Sequence, residues 1–85
     1  MNTMMQVTRY SLTELEQKIL TVIRDAGVMS VKQVHEHLVN INFINVMREV
    51  HKLHGKGYLT QTHVGSEARY KVKPRILTEL HKTIL

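Results

Sequence analysis

The sequence predicts an α+β fold in which three helices precede a β-hairpin and a last short helix. Three observations carry this expectation. Apolar residues recur at helical spacing in three successive segments between Leu12 and Leu53. The period then shortens toward two between Tyr58 and Val72, among β-branched and aromatic residues. Capping signatures open the helical segments, and Gly27, Gly55 and Gly57 follow them.

Residues 1–11 carry little helical signal, and the weak alternation of Gln6, Val7, Thr8, Arg9 and Tyr10 suits an N-terminal arm or edge strand. The first helix has two candidate capping boxes, Ser11 with Glu14 and Thr13 with Glu16, in which hydroxyl and carboxylate satisfy orphan backbone donors. Leu15, Ile19, Val22, Ile23 and Ala26 share its apolar face, and Gly27 is the expected stop. Ser30 with Gln33 opens a second helix through about Val39, whose buried face is Val31, Val34 and Leu38. Asn40–Asn42 reads as a turn. The third helix runs from about Phe43 to His54, with Phe43, Val46, Met47, Val50 and Leu53 on its apolar face and Gly55-Lys56-Gly57 ending it. Residues 58–64 and 68–72 read as two strands, with Gly65, Ser66 and Glu67 as turn residues. Pro74 suits the first turn of a terminal helix over 74–85, whose stripe Ile76, Leu77, Leu80 and Ile84 is a candidate dimer interface.

This order, with residues 12–73 as the domain, is that of a winged helix-turn-helix. The residues that carry a closer likeness are Leu12-Thr13 with Glu16, Ile19-Leu20, Gly27, the Ser30 opening, and the run Leu53-His54-Gly55-Lys56-Gly57-Tyr58-Leu59. With the hairpin end Ala68-Arg69-Tyr70-Lys71-Val72, they resemble the penicillinase-repressor group of bacterial transcriptional regulators over about residues 12–72. The resemblance implies a winged-helix DNA-binding protein. Two departures stand out. Ile44-Asn45-Val46 replaces the threonines usual in that group, so its base preference does not carry over. Only 11 residues follow Pro74, fewer than that group's dimerisation region, so the expectation is a minimal winged helix of the kind a phage or plasmid encodes.

Charge narrows the function. Twelve Lys and Arg oppose seven Asp and Glu, a net charge of +5. Residues 1–26 sum to zero, with Arg9, Lys18 and Arg24 against Glu14, Glu16 and Asp25, so the whole surplus lies after Gly27. A basic half beside a neutral half suits a polyanionic partner. There are no cysteines, which excludes disulfides, thiolate metal sites and cysteine nucleophiles and fits a cytoplasmic protein. No run approaches the roughly 20 apolar residues of a membrane span, and no glycine-rich phosphate loop, nucleophile motif or paired-carboxylate site argues for an enzyme.

The third helix is the strongest candidate site. Asn45, Arg48 and Lys52 project opposite its apolar face with Glu49 beside them, and Asn42 stands at its start. Asn pairs with adenine edges and Arg with guanine edges. Asn42, Asn45 and Arg48 are therefore the expected base contacts, and Ile44, on the flank, suits a thymine methyl. Lys52, Lys32, and Arg69, Lys71 and Lys73 of the wing are the expected phosphate contacts. Only Glu49 supplies a carboxylate between residues 37 and 66. Six histidines are scattered: His35 and His37 do not share a helix face, and no Cys, Asp or Glu completes a set around His51 and His54, so no metal is expected. The reading is a homodimeric, sequence-specific double-stranded DNA-binding regulator, a repressor rather than an activator, with no cofactor and no evident small-molecule effector. The alternative is a winged-helix module that docks on a protein, for instance a host factor met by a phage product.

Overall fold

The computed structural model describes residues 12–74. They form α1 (Glu14–Ala26), α2 (Val31–Glu36), α3 (Phe43–Gly55), β1 (Leu59–Val64) and β2 (Glu67–Val72). The arm expected over 1–11 and the stripe Ile76, Leu77, Leu80 and Ile84 lie outside the described residues. β1 and β2 pair antiparallel, from Leu59 opposite Val72 to Val64 opposite Glu67. The loop is thus Gly65-Ser66 alone, with Glu67 already in the strand. Gly65 takes φ +64° and Ser66 does not have a positive φ, the pattern of a two-residue II′ hairpin loop. Met29 bridges to Tyr70, exchanging backbone hydrogen bonds of 3.0 and 2.7 Å. The short apolar stretch after α1 therefore ties the hairpin to the helices.

Each helix begins where its cap dictates. At α1 the Glu16 N–H donates to Thr13 Oγ1 at 3.0 Å, and the Thr13 N–H donates back to Glu16 Oε1 at 2.8 Å. Gly27, at φ +94°, closes α1 with its N–H on Ile23 O. At α2 the box is Ser30 with Gln33, at 3.2 and 3.0 Å. That helix ends at Glu36, three residues before the expected Val39. The His37 and Leu38 N–H groups bond to Val34 and His35 carbonyls three residues back, which tightens and ends the turn. Leu38 still packs against the core, as its place on the expected buried face requires, but Val39 lies beyond the helix and is 70% exposed.

The core draws on every element: Ile19, Leu20 and Ile23 from α1, Val34 from α2, Val46, Val50 and Leu53 from α3, and Leu59, Tyr70 and Val72 from the hairpin, with Met29. Burying one such side chain contributes about 1.5–3 kcal/mol. The buried stripe of α1 is Glu16, Ile19, Leu20 and Ile23, turned from the expected face, and Ala26 is exposed. Leu15 and Val22 flank that stripe at half-buried positions.

Glu16 is the charge inside this stripe, 1% exposed. Its Oε2 accepts from Lys56 Nζ at 3.0 Å, across 40 residues, joining the start of α1 to the residue after α3. Burial pushes the Glu16 carboxyl up, but the Thr13 N–H and the Lys56 ammonium, with Lys52 behind it, outweigh burial and hold it below the ordinary glutamate value. A depressed folded pKa stabilises the fold above the unfolded value, and that contribution fades as pH falls through the folded one. Lys56→Met should therefore cost about 1–3 kcal/mol at pH 7, because it strands a buried carboxylate. The cost should shrink as the solution is acidified through the carboxylate range. Denaturant titrations of both proteins from pH 7 to 3 check this, and a pH-independent difference would contradict it.

Candidate nucleic-acid interface

The residues of α3 divide cleanly by periodicity. Val46, Val50 and Leu53 are fully buried and set the inward direction. Ile44, Asn45, Arg48, His51 and Lys52 are exposed and lie on the outward side. At 1.5 Å per residue this 13-residue helix offers an edge about 20 Å long.

Asn42 is the N-cap. It is exposed, and its Oδ1 accepts from the Ile44 N–H at 2.8 Å. Its carboxamide oxygen is thereby committed to the helix, while Nδ2 has no partner among the described residues. Asn45 and Arg48 meet one turn apart, with Arg48 Nη1 donating to Asn45 Oδ1 at 3.4 Å, near the limit of a hydrogen bond. Lys52 Nζ lies 3.7 Å from Glu49 Oε1, an ion pair too long for a hydrogen bond. That buried oxygen has no donor of its own. The single carboxylate of this face is thus half-covered and beside a cation.

On the hairpin, Tyr70 and Val72 point inward and are buried, whereas Lys71 is exposed and Arg69 and Lys73 are half-buried. Arg69 Nε donates to Glu67 Oε1 at 2.9 Å. Lys32 is exposed in the first turn of α2. Lys32, Lys71 and Lys73 have no ion-pair partner among the described residues.

Tyr70 links hairpin and helix. It is 1% exposed, its hydroxyl accepts from Gln61 Nε2 at 2.7 Å, and its ring stands 5.9 Å from His54 and 6.3 Å from His51. His51 therefore belongs to the outward face beside the wing. His54 is exposed against the Tyr70 ring. Phe43, expected on the apolar face, is 42% exposed and meets the His35 ring instead. No helix among the described residues is long and apolar enough to cross a membrane.

The model of the penicillinase repressor family matches residues 12–76. The chain belongs to the penicillinase repressor family. Its fold is the winged helix, in a family whose description names a repressor. A comparison with curated proteins finds no match. Solved structures share the fold at low identity. BpsR of Bordetella bronchiseptica, whose DNA binding is regulated by 6-hydroxynicotinic acid, superposes with a TM-score of 0.77 at 18% identity, over 89% of this chain and 56% of that one. YusO of Bacillus subtilis gives 0.79 at 12% identity, over 92% and 57%. The oxidised form of MarR from E. coli gives 0.77 at 14%, over 91% and 56%. This penicillinase repressor family chain spans little more than half the length of each.

The cap geometry yields a prediction that separates two duties of Asn42. Asn42→Ala should lower stability by about 1 kcal/mol, and Asn42→Ser, which keeps the cap, should be near neutral. Thermal melts of the two variants decide; equal losses would show that the Ile44 N–H bond is not what the position contributes.

Proposed function

We propose that the chain is a sequence-specific double-stranded DNA-binding repressor that places α3 in the major groove and the β1–β2 wing on flanking phosphates. The observation that carries this reading is the outward edge of α3, where Asn45, Arg48 and Lys52 stand clear of the core and the one nearby carboxylate, Glu49, is already beside Lys52. Arg48 offers a bidentate donor for guanine and Asn45 a donor–acceptor pair for adenine. Asn42 contributes through its Nδ2 donor. Lys52, Lys32, Arg69, Lys71 and Lys73 hold the phosphates and position the protein without reading sequence. Repression follows most simply from occupancy of DNA, and the family description names a repressor.

A helix about 20 Å long reads only a few base pairs, so two copies on a two-fold site give the usual arrangement, with half-sites about 34–36 Å apart. The apolar stripe Ile76, Leu77, Leu80 and Ile84 is the pairing element in this proposal.

Selection of bound duplexes from a random pool tests the reading and should return a two-fold symmetric motif. Arg48→Glu with Lys52→Glu should abolish that binding. Arg48→Ala should cost about 1–3 kcal/mol and relax the preference at one base position. Lys71→Met should instead weaken all duplexes alike and lower the slope of log affinity against log salt by about one. Retention of full affinity by the double charge reversal would refute DNA recognition through α3 and favour a protein-docking role for this face.

A further inference from the structure

We infer that His35 is a positioning residue for the base-reading end of α3, an inference that rests on the DNA-binding reading above. His35 lies half-buried in the last turn of α2. Its Nε2 is 3.0 Å from the carbonyl oxygen of Ile41, six residues further on. A carbonyl oxygen only accepts, so Nε2 carries the proton and donates. The same ring meets Phe43 edge to face, with centroids 5.4 Å apart and planes at 89°. Ile41 and Phe43 are the two neighbours of Asn42. One imidazole thus holds the residue before the cap and the residue after it.

Apart from Leu38 and Ile41, which rest half-buried against the core, the side chains of this turn have little cover. Val39, Asn40, Asn42 and Phe43 are exposed. The backbone bonds that cross it are Ile41 N–H to Leu38 O and Val46 N–H to Asn42 O, both 3.0 Å. The buried anchor of α3, Val46, comes one turn after the cap. Without His35, the stretch from Val39 to Asn45 keeps its helical start but loses the attachment that aims it at α2. Base recognition depends on side chains being preset to within a fraction of an ångström, whereas phosphate contacts from Lys52 and the wing tolerate play. Freeing this turn therefore degrades specific binding and leaves non-specific binding intact. A residue needed only for the fold would lower both.

The test uses the full chain as wild type, His35→Asn and His35→Gln. The amide of Gln reaches the place of Nε2, and that of Asn stops short at the place of Nδ1. Dissociation constants are measured at one salt concentration for the selected operator and for an unrelated duplex, alongside thermal melts. His35→Asn should lose about tenfold on the operator, stay within about twofold on the unrelated duplex, and be largely rescued in His35→Gln. Unchanged operator affinity, equal losses in the two variants, or parallel losses on both duplexes would overturn the positioning role. Long-range 1H–15N spectra of the wild type give a second readout that needs no variant to fold. They should show His35 with its proton on Nε2, and a neutral ring protonated only at Nδ1 would overturn the inference. A wild-type chain without preference among duplexes would refute the DNA reading and the positioning role with it. Specific wild-type binding beside an insensitive His35→Asn would refute the positioning role alone.

Discussion

Packing of Val46, Val50 and Leu53 fixes the rotation of α3 about its own axis, and the candidate interface depends on that rotation. Interiors pack to near-crystalline density, so a helix seated by three fully buried side chains has no freedom to turn. What faces outward is then decided by arithmetic at 100° per residue rather than by any property of the outward residues themselves. Asn45, Arg48 and Lys52 are clear of the core because their neighbours at helical spacing are not. The hairpin is placed by the same logic. Tyr70 and Val72 enter the core from β2, which forces Arg69 and Lys71 to the other side, and the Met29–Tyr70 bridge holds that strand beside the helices.

Charge is sorted along with packing. Lys56 contributes to the formal surplus but is engaged by Glu16, where it compensates a buried carboxylate and closes α1 onto the end of α3. Arg24 and Arg69 are paired with Asp25 and Glu67 beside them. Exposed pairs of this kind contribute little stability and are readily exchanged for a phosphate. The cations without an ion-pair partner among the described residues of the basic half are Lys32, Arg48, Lys71 and Lys73, distributed over α2, α3 and the wing. The positive charge that the sequence shows as an imbalance between halves thus becomes a surface spread over the elements proposed to face DNA.

Local signals were the legible ones. Both capping boxes, the Gly27 stop and the change of period at Tyr58 act within a few residues, so the α+β order and the outward set on α3 followed from the chain alone. The parts that escaped are set by contacts far apart in sequence. Glu16 is three residues from Thr13 and reads as a capping carboxylate; its second partner, Lys56, is 40 residues away. The buried stripe of α1 turned to include Leu20 because α3 and β2 determine which side of an amphipathic helix is covered. Phe43 shares the helical spacing of Val46, Val50 and Leu53, yet the helix start lies beyond the core's edge and the ring rests on His35. The second helix stops at Glu36 rather than Val39 because the His37 and Leu38 N–H groups close a tight turn, which no residue type in the segment announces.

Within the edge proposed to read bases, the three polar side chains are not equally free to do so. The Asn42 Oδ1 bond to the Ile44 N–H is short, at 2.8 Å, and satisfies a donor that α3 otherwise leaves orphaned. Breaking it to reach a base would expose that donor and fray the turn that presents the other two. The bond between Arg48 and Asn45 is long, at 3.4 Å, and fully at the surface, so water or a base edge replaces it at small cost. Both groups also span about one helical turn, the spacing at which neighbouring side chains address neighbouring bases. Under the DNA reading, discrimination therefore concentrates in Asn45 and Arg48. Asn42 serves them mainly by keeping the first turn of α3 closed, with at most its Nδ2 donor left for the DNA.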